Sequence, residues 1–269
     1  MAKHFLRWAG SKAKLIPQIK ALIEGEYERY IEPFVGSGRL FFNLEPENAI
    51  ISDVNEDLIE TYQEIADNYR VVEGLLATYP VEKEFYYKLR ATSPKKLTTT
   101  EIAARFIYLN RYCFNGLYRT NLKGEFNVPF APLRTGNLPN LTEWEAISEQ
   151  LQKTTICCAD FQETIEKAGK NDLIYLDPPY LSSEKRIFSE YNPKCFSRND
   201  LDRLEDQILQ VDGSGAKFIL SYLDEPLVVK KFEHWRQINV TAQRNIAGFT
   251  NKRKLAKELL ITNIDESCS

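Results

Sequence analysis

YIEPFVGSGRLFFNLEPENAIISD, residues 30–53, is the stretch that decides the fold. Residues 30–35 read as a buried strand that ends in the turn Gly36-Ser-Gly38. Leu40, Phe41, Phe42 and Leu44 suggest a helix after that turn, and residues 49–54 read as a second strand closing on Asp53. Strand, glycine loop, helix, strand, acid is the opening unit of a doubly wound α/β sheet. Two glycines let the backbone turn sharply and let a ligand approach closely. A helix N-terminus there would favour a phosphate or a carboxylate. An acid after the second strand is placed to accept hydrogen bonds from ribose hydroxyls. Together the loop and the acid point to an adenosine-containing ligand. Phe41 stands where a dinucleotide site would carry its third glycine, which counts against a dinucleotide. Asp53-Val-Asn55-Glu-Asp57 begins like a calcium loop, but Leu58 replaces the required glycine, so Asn55 or Ser52 reads better as a helix cap.

Upstream, Leu15, Ile16, Ile19, Leu22 and Ile23 recur at helical spacing, with Gly25 as a stop. Downstream the pattern changes. Leu58, Ile59, Tyr62 and Ile65 look helical, as do residues 85–89 and 102–109. Residues 111–140 are loop-like, rich in Asn, Gly and Pro, and loaded with aromatics. A loop this long inside a compact domain is usually functional or disordered, and its aromatic content argues against disorder. From about residue 153 the α/β pattern returns, with strands expected over 155–159, 173–176 and 217–223 and a helix over 201–211. Residues 238–242 and 259–262 could close the sheet as an antiparallel pair. The simplest architecture is one α/β sheet domain built from both ends of the chain, residues 1–56 and 153–269. A mostly helical insertion, residues 57–152, carries the basic and aromatic loop.

Composition is that of an ordinary globular chain of 269 residues, 43% hydrophobic and 27% charged. The apolar runs are far short of a membrane span, and MAKHFLRWAG has no secretory pattern, so a cytoplasmic protein is expected. Five cysteines without C-x-x-C and only two histidines, His4 and His234, offer no zinc spacing, so no metal is expected. The net charge of −3 does not point to nucleic acid, but its distribution does. Arg105, Arg111, Arg119, Lys123 and Arg134 face only Glu125 within residues 105–134, and a second basic run occupies 251–257. For Arg134 and residues 252–257, phosphate contact and plain solvated surface are both open readings.

Residues 173–180, LIYLDPPY, place an acid, two prolines and an aromatic at the end of a short buried strand. Neither Pro178 nor Pro179 has an N–H, and their rings fix φ, so the carbonyls beside Asp177 are rigid acceptors. Such an acceptor-only pocket suits an exocyclic amine on a nucleobase, with Tyr180 stacked on the base. Gripping both amine hydrogens aims the lone pair at an electrophile. A fixed carboxylate also stabilises the positive charge that develops on nitrogen during attack. A Pro-Pro turn with Asp177 bonded locally is the plain alternative.

These motifs in this order resemble the Dam-type D12 class of DNA adenine-N6 methyltransferases, in the α arrangement, over nearly the whole chain. Phe5-Leu-Arg-Trp-Ala-Gly-Ser-Lys12, Glu32-Pro-Phe-Val-Gly-Ser-Gly38 and Ser52-Asp-Val-Asn55 resemble its cofactor motifs. Residues 109–119 and 124–130 resemble its target-recognition hairpin. Asp177-Pro-Pro-Tyr180 resembles its catalytic tetrapeptide, and residues 244–263 its C-terminal motif near the flipped base. The resemblance implies a Rossmann-like S-adenosylmethionine-dependent methyltransferase sheet with helices on both faces. It adds a mostly helical target-recognition insertion with a β-hairpin loop. It implies that Trp8, Lys12, Phe34, Gly36, Gly38, Asp53 and Asp177 bind S-adenosylmethionine, with S-adenosylhomocysteine as product. Asp177, Pro178, Pro179 and Tyr180 would hold the target amine. Phe114, Asn115, Leu117, Arg119 and Pro129 would meet double-stranded DNA, with Phe114 inserted in the stack and Arg119 bidentate on a guanine of GATC. The adenine would be flipped out of the duplex. Cytosine N4 or RNA adenine as target, and an inactive nucleic-acid-binding relative, are the alternatives.

Overall fold

A computed structural model describes residues 4–8, 10, 12–23, 25–121, 123–132, 138–181, 196–243 and 255–265. After a short helix α1 (Ile16–Leu22), β1 (Arg29–Glu32) and β2 (Ala49–Asp53) flank a single helical turn, α2 (Phe41–Leu44). Three longer helices follow: α3 (Glu56–Thr78), α4 (Lys83–Ala91) and α5 (Thr99–Tyr112). The chain returns through α6 (Leu141–Gln152) to β3 (Thr154–Cys158), α7 (Phe161–Ile165) and β4 (Asp172–Leu176). Then come α8 (Arg198–Ser214), β5 (Lys217–Leu223), α9 (Pro226–Lys231), β6 (Arg236–Gln243) and β7 (Leu255–Thr262).

The strands form one seven-stranded sheet in the order β3-β2-β1-β4-β5-β7-β6. The first five are parallel, and β7 lies antiparallel between β5 and β6. The chain order reverses between β1 and β4, so the carboxyl ends of these neighbours border the crevice where such sheets bind ligands. Every residue of β4 is buried, which is why Leu173, Ile174, Tyr175 and Leu176 form a continuous apolar run without alternation.

Each face of the sheet has its own core. One face packs Phe5, Phe41, Tyr62 and Trp144 with residues of α3, α5 and α6. On the other, Leu201, Leu204, Ile208 and Val211 of α8 meet Phe218, Phe232 and Trp235. The helices α3, α5 and α6 thus share the core of the sheet. Their starts are fixed locally. Asn55 caps α3 through Leu58 N–H, as its sequence position suggested. Reciprocal capping boxes open α5 (Thr98 and Glu101), α6 (Asn140 and Glu143) and α8 (Ser197 and Asp200). Among the described residues no helix is long and apolar enough to cross a membrane, and no cluster of metal-ligating side chains occurs.

Candidate functional site

One cavity of about 1290 Å³ opens along the carboxyl edge of the sheet. It exceeds the ~300–1,000 Å³ of an ordinary small-molecule pocket, so it has room for two ligands together. Trp8, Lys12, Phe34, Gly36, Asp53, Asp177, Pro178, Pro179 and Tyr180 all line it.

The glycine turn forms one wall. Gly36 has φ +47°, and a Cβ there would lie 2.7 Å from Cδ1 of Trp8, so the indole rests directly on the backbone. Gly38 (φ +59°) faces away from the cavity, toward Phe42 and the Tyr62 hydroxyl. That hydroxyl donates to the Gly36 carbonyl at 2.7 Å. The helix after the turn is only one turn long, so its dipole is small and the loop's amides matter more. Asp53 accepts from Gly36 N–H at 3.2 Å and from Asn55 N–H at 3.0 Å. Burial raises its carboxyl above the ordinary range, and these N–H groups pull it back.

Beyond β3 the cavity is aromatic. Phe34 stacks on Phe161 with centroids 5.3 Å apart, and Phe196 meets Phe34 edge-on at 6.2 Å. Asp160 lies beside them, held by Arg203, whose guanidinium also covers the Phe161 ring at 4.7 Å. The sequence reading missed Asp160, Phe161 and Phe196. The available signal was an acid followed by an aromatic just past the third strand. A flat apolar slot, an acid that ribose hydroxyls could reach and a backbone free of side chains fit the adenosine part of S-adenosylmethionine.

At the opposite end the side chains are charged. Lys12 is buried, yet its ammonium donates to Asp177 Oδ1 at 2.7 Å and to the Tyr180 hydroxyl at 2.5 Å. Glu258 Oε2, on β7, is 3.8 Å from the same nitrogen. Burial works against the charge on Lys12, but Asp177, Tyr180 and Glu258 outweigh it and hold the lysine protonated well above its ordinary range. Burial pushes Glu32 up to about 8, against the hydrogen bond it accepts from Tyr30 at 2.8 Å and with the Asp177 charge adding to the rise. Tyr180 packs edge-on against Tyr222, whose hydroxyl accepts from Leu181 N–H at 2.8 Å.

The expected DNA contacts lie on a neighbouring segment. It folds back through two isolated antiparallel bridges, Cys113 with Phe130 and Thr120 with Phe126. Phe114 is exposed, Asn115 adopts φ +56°, and Leu117 and Arg119 are half-buried. Pro129 is exposed, and its carbonyl accepts from Phe114 N–H at 2.9 Å. Arg119 donates from Nε to Asn127 Oδ1 at 2.7 Å. None of these five lines the cavity, whereas Tyr118 and Thr120 do.

The basic stretch over 105–134 is less of a surface patch than its charges suggest. Arg105 is buried and donates to the carbonyls of Leu89 and Arg90, and buried Arg111 donates to that of Phe5. A guanidinium carries several donors, and here they satisfy carbonyls at the last turn of α4 and at Phe5. Arg134, Arg244 and residues 251–254 lie outside the described residues.

The profile of the D12 class N6 adenine-specific DNA methyltransferases matches residues 8–246. The type II methyltransferase M1.LlaDCHI of Lactococcus lactis subsp. cremoris is 35% identical, covering 96% of this chain and 94% of that one. M.MjaIII of Methanocaldococcus jannaschii is 36% identical over 97% of this chain and 99% of its own. A DNA adenine methylase of Serratia marcescens is 32% identical over 95% and 96%.

Proposed function

The chain belongs to the D12 class N6 adenine-specific DNA methyltransferases, and on that premise we propose that it methylates adenine N6 within GATC, using S-adenosylmethionine and a flipped base. It is an enzyme, a DNA adenine methyltransferase, with DNA as substrate and a methyl donor as co-substrate. In this reading residues 1–56 and 153–269 hold the cofactor and residues 57–152 carry target recognition.

The observation that carries the mechanism is the position of Lys12. Asp177 and the Tyr180 hydroxyl already accept from a protonated amine, so this corner suits a nitrogen that becomes positive. A target adenine amine would displace the Lys12 ammonium and present its two hydrogens to Asp177 and to the rigid carbonyl beside it. S-adenosylmethionine supplies a methyl group made electrophilic by its sulfonium. Asp177 orients the amine for in-line attack and stabilises the charge that forms on N6. The proton is lost only after the bond forms, so Asp177 need not be a strong base beforehand. Tyr180 covers the base. Trp8, Gly36 and Asp53 hold the cofactor's methionine and ribose side, and Phe34 with Phe161 its adenine. A base inside a duplex cannot reach this depth, hence the flip.

The test is methyl transfer from labelled S-adenosylmethionine to duplexes with GATC, against duplexes in which one of those bases is changed. N6-methyladenine confined to the intact site is the expected product. Methylation in another sequence would remove GATC, and absence of N6-methyladenine from every duplex would sink the reading.

A further inference from the structure

Tyr118 sits between Leu117 and Arg119, two of the residues expected to read DNA, yet it belongs to the cavity wall. Along a non-helical stretch the direction of one side chain constrains those of its neighbours, so holding Tyr118 restricts Leu117 and Arg119. Four side chains hold Tyr118. Its ring stacks on Trp8 with centroids 5.8 Å apart and planes 20° apart, and Trp8 is the indole that rests on Gly36. Its hydroxyl donates to Asp57 Oδ2 at 2.8 Å, in the first turn of α3, four residues beyond Asp53. Phe106 of α5 and Phe126 of the returning leg close over the rest, at 5.5 and 5.8 Å. Burial and the neighbouring Asp57 both push the phenol up, so it remains a donor.

We propose that Tyr118 is a positioning residue that couples occupancy of the cofactor cavity to discrimination between DNA sequences. A ligand seated against Trp8 and the Asp53–Asp57 loop immobilises the two surfaces that grip Tyr118. Fixing Tyr118 fixes Leu117 and Arg119 at the DNA face. Linkage makes the effect reciprocal: the preferred duplex tightens cofactor binding by the factor by which cofactor tightens that duplex. This inference rests on the function proposed above.

The test uses the full chain and the sequence that the wild-type enzyme is first shown to methylate. Duplexes with the intact site and with one base changed are titrated by fluorescence anisotropy, without S-adenosylhomocysteine and with it at a saturation checked by calorimetry. In the wild type the ratio of the two dissociation constants should rise about tenfold with cofactor, a coupling of ordinary size. Tyr118→Ala should lose the rise, its ratio staying the same with and without cofactor. Tyr118→Phe keeps the stack and loses only the Asp57 hydrogen bond, so it should retain part of the rise, and it serves as the test if the alanine variant does not fold. Overturning results are a wild-type ratio indifferent to cofactor, a full rise in Tyr118→Ala, or, should only the phenylalanine variant fold, a full rise in that. Absence of methyl transfer to any duplex by the wild type would instead remove the function itself.

Discussion

At its Asp177 end the cavity is walled by side chains rooted in the central strands, whereas the segment from Cys113 to Phe130 returns on itself through two isolated bridges. Asp177 directly follows a strand that is buried along its whole length, and its partner Lys12 is buried too. On the other segment Phe114 and Pro129 are exposed, and Arg119 is braced by one neighbour, Asn127. Chemistry on an amine requires acceptors fixed to a fraction of an ångström, which a strand end in a dry sheet provides. Reading a groove requires side-chain tips that protrude from a supported loop. Tyr118 is where the two regions touch.

Substitutions can break or sharpen this contrast. The largest effect is expected at the rigid end: Asp177→Ala should lower methyl transfer by about 10³-fold with an unchanged circular dichroism spectrum. A parallel fall in folded content would mean that Asp177 serves the fold instead. Two glycines compare the regions directly. Gly36→Ala meets both the left-handed backbone and the Trp8 ring, so chemical denaturation should register a loss of about 2–3 kcal/mol. Gly124→Ala, at φ +78° with nothing within 4 Å, should cost only about 1 kcal/mol. Equal losses would erase the distinction between a packed wall and an open loop.

Arg119→Lys should reduce discrimination at one guanine by about 10-fold or more, with little change for duplexes already altered there. A uniform loss across sequences would make it a phosphate contact. Glu32 supplies a pH test of the buried end. Its carboxyl keeps its proton up to about 8 when folded but only to about 4.5 when unfolded. The folded state therefore holds the extra proton, and its stabilising effect is complete below the unfolded value and lost as pH rises through about 8. Glu32→Gln stays neutral throughout, so its stability relative to wild type should improve by about 1 kcal/mol or more between acid and mildly alkaline solution. A constant difference across that range would refute the shift. The smallest effect on DNA should come from Arg105→Gln, which ought to lower the melting temperature and leave the salt dependence of duplex binding unaltered.

All seven strands were legible as short apolar or alternating runs, and the glycine turn and the acids at strand ends were legible as chemistry. Three helices were overlooked, α6, α7 and α9, although Asn140-Leu-Thr-Glu143 spells a capping box before α6. The helix α3 extends to Thr78, well past the Ile65 where its apolar spacing was followed, across a non-helical Asn68 that interrupts the regular geometry. Phe161 looked like any apolar residue. It becomes part of a slot only because the ends of β1 and β3 lie on the same edge, with Phe34 brought against it. The arginines misled for the opposite reason. A charge count along the chain cannot register that Arg105 bonds carbonyls on α4, or that Arg111 bonds Phe5, 106 residues away.

By itself the sequence determined the strands and most of the helices, where the backbone must turn through glycine, and that an acceptor-rich tetrapeptide ends a buried strand. These follow from local dihedral preferences and from the period with which apolar side chains face a core. Only the tertiary structure decided which groups meet. Sheet order brings β7, and Glu258 with it, against β5, and Lys12 from ahead of α1 meets Asp177 across 165 residues. The fold also turns Tyr118, alone of its immediate neighbours, toward Trp8. Meetings of this kind depend on how distant segments stack around a shared core, and no periodicity within a segment encodes its partner.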